Sequence, residues 1–154
     1  MHDDTVFIST GYNRGCTLLR LTGGKLEQVY ENRNVRNHMN NCVLYDGYLY
    51  GVDGNSHNAR ACALVCLDYK TGERKWLHRE FGCGAVLVAG NQLLVMSDEG
   101  ELAVAPATPD GFKPTAQAEV VEGRCWTVPV LSHGLIYVRT AAGKLVCLDV
   151  RKES

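Results

Sequence analysis

The sequence predicts an all-β fold, a partial β-propeller of about three and a half four-stranded antiparallel blades with a period of about 43 residues. Three observations carry this expectation. A hairpin turning on glycine recurs at a nearly fixed interval, two further short apolar strands follow each hairpin, and no segment shows a 3.6-residue helical period. The hairpins are VLYDGYLYGV (43–52), VLVAGNQLLVM (86–96) and PVLSHGLIYVR (129–139). Their turn glycines, Gly47, Gly90 and Gly134, stand 43 and 44 residues apart. In each, a second run rich in Tyr, Val, Leu and Ile follows the turn, as a β-hairpin requires.

In chain order, one period before Gly47 lies Asp4, directly ahead of the strand TVFIST (5–10). The first unit, residues 3–39, therefore lacks its inner strand. Units 40–82 and 83–124 carry all four strands, and unit 125–154 lacks the outer one. Gly100 and Gly143, 43 residues apart, open the third strands at 102–105 and 145–148. The pentapeptide LVCLD occurs at 64 and again at 145, an interval of 81, whereas Gly47 and Gly134 are 87 apart. Six residues are thus inserted between the second and third strands of the second unit, within GNSHNARAC (54–62). The turns YKTGERK and TPDGFKP then lead to a fourth strand, seen best in RKWLHRE (74–80). A chain of this kind is read as one partial propeller domain over 1–154. Incomplete rings leave strand edges that invite pairing. The expected partners are the remaining blades of a parent propeller, or a second copy of the chain joined through the open edges, with other proteins as a further class.

Charge excludes some functions. Sixteen basic and 17 acidic side chains give a net charge of −1, with no electrostatic footprint for nucleic acid. No apolar run reaches the roughly 18 to 20 residues that span a bilayer, so membrane insertion is not expected. The start MHDDTVFIST has no signal-peptide pattern. Seven cysteines, an odd number without C-x-x-C spacing, exclude a complete disulfide framework. Most read as small buried hydrophobes, Cys66 and Cys147 among them. No metal site is expected, since Cys62 and Cys66 on one extended face lie about 13 Å apart.

The stretch LVCLDYKTGERKW (64–76) resembles the quinoprotein-type, PQQ-like propeller repeat: an apolar strand ending Leu-Asp, then Thr-Gly, then Trp. Leu67, Asp68, Thr71, Gly72 and Trp76 fill those places, and the first unit has Tyr30 where Trp would stand. Asp68, Thr71, Gly72, Trp76 and Trp126 are read as blade-docking residues, with Trp76 packing on the next blade. The longer segments FISTGYNRGCTLL, FGCGAVLVAGNQLLVMSDEGELAVAPATPDGF and GRCWTVPVLSHGLIYVRTAAGKLVCLDV are similar to the C-terminal portion of bacterial PQQ-like propeller proteins and to the propeller-type outer-membrane assembly lipoprotein. That resemblance implies a longer parent protein, exported to the periplasm. The unpaired cysteines argue instead for a reducing compartment, and the location stays open. True quinoprotein dehydrogenases also have a disulfide between adjacent cysteines and a calcium site, for which this sequence has neither adjacent cysteines nor an acidic cluster.

In a propeller, the second-to-third and fourth-to-first strand connections emerge on one face. On it fall GYNRG (11–15), the expanded GNSHNARAC, ENRNVRNHMNN (31–41) and VVEGRC (120–125). Tyr12, Asn13, Arg14, Arg36, Asn37, His38, Asn40, His57, Asn58, Arg60 and Arg124 form the candidate rim. Forked guanidinium and amide donors suit an anionic or hydroxyl-rich ligand. No catalytic residue and no cofactor are assigned. The expected function is a non-enzymatic scaffold or binding module, with small-ligand binding on the rim as the alternative and a quinone-dependent oxidoreductase as the second alternative.

Overall fold

A computed structural model describes residues 2–151, so the end of the last unit, 152–154, lies outside the described residues. Four antiparallel sheets follow one another along the chain. The first holds β1 (Thr5–Thr10), β2 (Gly15–Thr22) and β3 (Lys25–Asn32). The second holds β4 (Val43–Tyr45), β5 (Tyr48–Asp53), β6 (Ala63–Asp68) and β7 (Arg74–His78). The third holds β8 (Ala85–Ala89), β9 (Gln92–Met96), β10 (Glu101–Pro106) and β11 (Ala116–Glu119). The fourth holds β12 (Val130–Ser132), β13 (Leu135–Arg139) and β14 (Leu145–Asp149). Strands pair only with their sequence neighbours, so two four-stranded blades stand between two three-stranded ones, the partial propeller that the repeat predicts. The six-residue insertion forms a short 3-10 turn, Ser56–Ala61, the one helical element among the described residues.

Turn chemistry sets the hairpins. Asp46 and Gly47 have φ of 48° and 79°, and His133 and Gly134 have 50° and 76°, the paired positive φ of the turn that matches strand twist. The core lies between blades. Successive side chains of a strand point to opposite faces, so Leu64 and Cys66 of β6 join Phe81, Val86 and Val95 of the third blade. Val65 and Leu67 of the same strand join Cys16, Leu18 and Val35 of the first blade. Leu94, Met96 and Leu102 meet Ile136 and Val138 of the fourth.

Five of the seven cysteines are buried and Cys42 is half-buried, while Cys147, expected inside, is exposed. It lies on the face of β14 turned away from the third blade, uncovered among the described residues. Burial pushes the Cys66 thiol up to about 12, so it packs as a neutral hydrophobe. Trp126 stands ahead of β12, in the connection from the third blade, not within the inner strand.

Among the described residues, the Tyr50 hydroxyl is the buried side-chain polar atom without a hydrogen-bond partner, in a residue 1% exposed, with the Cys66 thiol beside it. Desolvation also pushes its phenol well above the ordinary value. An unpaired buried hydroxyl costs about 1 kcal/mol or more. Tyr50→Phe is therefore expected to leave stability unchanged or raise it by about 1 kcal/mol, read from the urea midpoint at constant slope.

Candidate functional site

The rim is assembled mainly from three segments, the turn between β1 and β2, the stretch between β3 and β4 and the insertion between β5 and β6, with Arg124 on the connection from β11 to β12. At its centre Arg36 meets Asp53. The carboxylate oxygens of Asp53 accept from the Arg36 backbone N–H at 2.8 Å, from Nε at 2.8 Å and from Nη2 at 2.7 Å. Asp53 is buried, with 5% of its side chain exposed against 31% for Arg36. The hydrogen bonds to Asp53 hold the Arg36 guanidinium above its already high ordinary pKa. Arg36 Nη1 also donates to Asn13 Oδ1 at 3.1 Å. This pair therefore clips the first blade to the second.

His38 forms a second clip. The Ser56 backbone N–H donates to His38 Nδ1 at 3.1 Å, so Nε2 carries the ring proton and meets the Tyr12 hydroxyl at 2.9 Å. The Tyr12 ring packs edge-on to His38 at 4.8 Å between centroids, and His57 lies 6.1 Å from Tyr12. Tyr12 and Asn13 both take positive φ, 54° and 60°, and Asn55 Oδ1 accepts from the Tyr12 N–H at 2.8 Å to hold that turn. Asn37 is buried, donating to Val52 O at 3.0 Å and accepting from the Cys42 thiol at 3.2 Å. Asn40 reaches Gly84 O at 3.1 Å and Trp126 O at 3.4 Å, tying three blades together. The exposed members are Tyr12, Asn13, Arg14, His57, Asn58, Arg60 and Arg124. Among the described residues, Arg14, Arg60 and Arg124 form no ion pair, and the Arg124 guanidinium stacks 4.9 Å from the Trp126 ring centre.

Asp53, Asn55 and Ser56 escaped the sequence reading. The signal for Asp53 was present. Thr10, Asp53, Ser97 and Thr140 recur at 43 and 44 residues, Thr10 and Asp53 ending β1 and β5 and Ser97 and Thr140 directly following β9 and β13. Ser97 Oγ accepts from the N–H groups of Glu99, Gly100 and Glu101 at 3.3, 3.1 and 2.9 Å, and Thr140 Oγ1 from Lys144 at 3.1 Å. In the second blade a carboxylate fills this turn-holding place and binds a guanidinium instead.

The docking residues act at the outer edge. Asp68 Oδ1 accepts from the N–H groups of Lys70 and Thr71 at 3.0 and 2.9 Å, and Thr71 Oγ1 from Glu73 N at 3.2 Å. Gly72 completes the turn at φ 70°, where a Cβ would strike the Tyr30 ring of the preceding blade. Trp76 Nε1 donates to Thr108 O of the third blade at 2.9 Å, and Tyr30 Oη donates to Tyr69 O of the second at 3.1 Å. Both aromatics stand at a β-bulge, Tyr30 opposite Leu18 and Trp76 opposite Cys66. Tyrosine thus makes in the first blade the bond that tryptophan makes in the second.

A cavity of about 500 Å³ opens between the insertion and the third blade, lined by Arg60, Cys62, Glu80, Asp98, Glu99 and Glu119 among others. Among the described residues no three His, Cys, Asp or Glu side chains are grouped closely enough to hold a metal ion.

This architecture is that of a β-propeller, and solved structures bear the same fold. The chain is similar to BamB from Moraxella catarrhalis, with a TM-score of 0.71 and 13% identity over 96% of this chain and 40% of that one. It is also similar to a europium-containing methanol dehydrogenase, at 0.57 and 14% identity over 78% of this chain and 24% of that one. A third is KlHsv2 with loop 6CD replaced by a Gly-Ser linker, at 0.53 and 9% over 96% and 45%. The first two are PQQ-like β-propellers, in keeping with the repeat motif at 64–76. At these identities the likeness is one of fold, and the chain spans less than half the length of each. No family model and no curated protein sequence matches it.

Removing Arg36 would leave the Asp53 carboxylate buried and two hydrogen bonds short. Arg36→Ala is expected to cost about 2 kcal/mol, less than a fully buried pair because Arg36 is partly solvated, whereas Arg14→Ala should change stability by under about 0.5 kcal/mol. Parallel urea titrations of the two variants check this.

Proposed function

We propose that this protein is a non-enzymatic interaction scaffold, a propeller segment whose open flanks take up further blades from a longer parent chain or from a second copy of itself. One comparison within the molecule carries the reading. Leu64 in the first LVCLD is 1% exposed, while Leu145, the same residue in the second, is 64% exposed. Cys66 is fully buried and Cys147 exposed in the same way. The two segments share sequence and strand position, but β6 has a blade against that face and a fourth strand, β7, at its outer edge, and among the described residues β14 has neither. Val130, paired with Tyr137 on the same face as Cys147, adds exposed apolar surface there. Exposed apolar side chains gathered on one face mark an interaction surface. The rim is in keeping with that reading, because Arg36, Asn37, His38 and Asn40, all on the β3–β4 stretch, are engaged by other segments of the chain through Asp53, Val52, Tyr12 and Gly84.

The isolated chain is expected to cover this flank by associating. Burying one leucine is worth about 1.5–3 kcal/mol, so Leu145→Glu should weaken self-association by about tenfold or more with an unchanged unfolding midpoint. Light scattering across a concentration series reads this out. A wild-type chain that is strictly monomeric and indistinguishable from the variant contradicts the scaffold reading.

A second reading, a small anionic or carbohydrate-like ligand on the rim, draws on the Arg124 guanidinium laid over Trp126 with no acidic partner among the described residues. Calorimetric titration with citrate is expected to give binding that Arg124→Ala removes. Absence of heat with both citrate and a neutral disaccharide ends this reading.

A further inference from the structure

Among the described residues β1 stands at the edge of its sheet, laddered to β2 alone. Antiparallel strands bond through alternate residues. The Leu21 N–H donates to Asp4 O at 2.8 Å, so Asp4, Val6 and Ile8 turn their backbone groups toward β2, while Thr5, Phe7 and Ser9 turn theirs to the open side. Thr5 is already engaged: its N–H donates to His2 O at 2.9 Å, and its carbonyl accepts from the His2 N–H at 3.1 Å. The backbone N–H and C=O of Phe7 and Ser9 have no partner among the described residues.

Two further features shape this edge. His2 and Thr5 flank a two-residue turn in which Asp3 and Asp4 have φ of 45° and 56°, the conformation of Asp46–Gly47 and His133–Gly134. Those turns join β4 to β5 and β12 to β13, so His2 holds the last place of an inner strand, as Tyr45 and Ser132 do. Beside it a cavity of about 420 Å³ opens between β1 and the second blade, lined by Phe7, Ser9, Asn41, Cys42, Leu44 and Leu49 among others. In the second and third blades the matching place holds an inner strand. Val43, opposite Tyr50, packs on the core shared with the third blade, and Leu87, opposite Leu94, on the core shared with the fourth. Phe7 is the matching residue of β1, and it packs on the core shared with the second blade.

We propose, resting on the reading of this chain as an interaction scaffold, that the edge of β1 is a strand-accepting site for an extended aliphatic segment of a partner polypeptide. The segment runs antiparallel to β1, bonds to the backbone of Phe7 and Ser9, and sets a valine or leucine opposite Phe7 in the cavity. Directly opposed residues share a face of the sheet, so that side chain meets Leu44 and Leu49, as Val43 and Leu87 meet the blades that follow theirs. Its two neighbours point the other way, to the face where Ile8 is 48% exposed, and polar residues fit there. Backbone pairing supplies the affinity and the cavity selects the alternate side chain. A row of free donors and acceptors at strand spacing is satisfied by another strand, whereas a helix has already spent its backbone groups internally.

The test uses the full chain, wild type and Leu145→Glu in parallel, with the capped peptide GSGAVL as the probe. This peptide copies residues 82–87 with serine for Cys83, and its leucine is the counterpart of Leu87. Amide hydrogen exchange is followed residue by residue by NMR. Millimolar peptide is expected to slow exchange severalfold at Phe7 and Ser9 in both proteins, while Val6 and Ile8, bonded to β2, keep their rates. The same peptide with aspartate for leucine should bind about tenfold or more weakly. Unchanged rates at Phe7 and Ser9, protection confined to other strands, or equal binding of the two peptides overturns the proposal. So does protection of Phe7 and Ser9 that rises with protein concentration before any peptide is added, since a second copy is then the occupant. Light scattering reads the fourth blade and exchange reads the first, so self-association and strand acceptance fail separately.

Discussion

Side chains of every middle strand point alternately to the two faces of a blade, and each face is apolar. Ordering a strand residue costs about 1–2 kcal/mol of backbone entropy, and burying a Leu or Val returns about 1.5–3 kcal/mol. A sheet covered on one side gains from only every second residue, so it barely offsets its own ordering. A blade therefore depends on neighbours on both sides. The second blade has this: β6 buries Leu64 and Cys66 against the third blade and Val65 and Leu67 against the first. From this requirement follow the core between blades, the aromatic bonds of Tyr30 and Trp76 across the outer seams, and the uncovered surface of β14.

The seams and the rim solve the same geometric problem at different radii. On the outside, one indole and one phenol each donate to a carbonyl of the following blade, and the adjoining β-bulges turn those rings toward it. On the loop face, Arg36–Asp53 and Tyr12–His38–Ser56 join the first blade to the second. Near the inner strands, Asn40 gathers backbone carbonyls from two later blades. Polar groups that look available in a list of loop residues are in this way largely consumed by registration between sheets.

Much of the fold was legible because its signals are local and periodic. Gly47, Gly90 and Gly134 mark hairpins without knowledge of any distant contact, and LVCLD reports strand position twice. The rim was legible only as a place. A run of asparagine and arginine says that a loop is polar, but not that Arg36 faces a buried carboxylate 17 residues away. Pairing of that kind is decided by how blades stack, and a single chain read along its length does not contain the stacking. Asp53 was nonetheless recoverable from its spacing to Ser97 and Thr140. Cys147 was misread for the opposite reason: its local pattern equals that of Cys66, and what differs is the blade and the fourth strand that stand beside β6.

The inserted segment leaves and rejoins the ladder without disturbing it, for Asp53 still pairs with Ala63 as the hairpin resumes. Loop closure grows slowly with length, about 0.6 kcal/mol for each doubling. Connections on this face can therefore lengthen, shorten or change composition while the strands beneath keep their partners. A propeller built in this manner separates the part of its sequence answerable to folding from the part answerable to selection for new contacts, and the second blade is where this chain has already used that freedom.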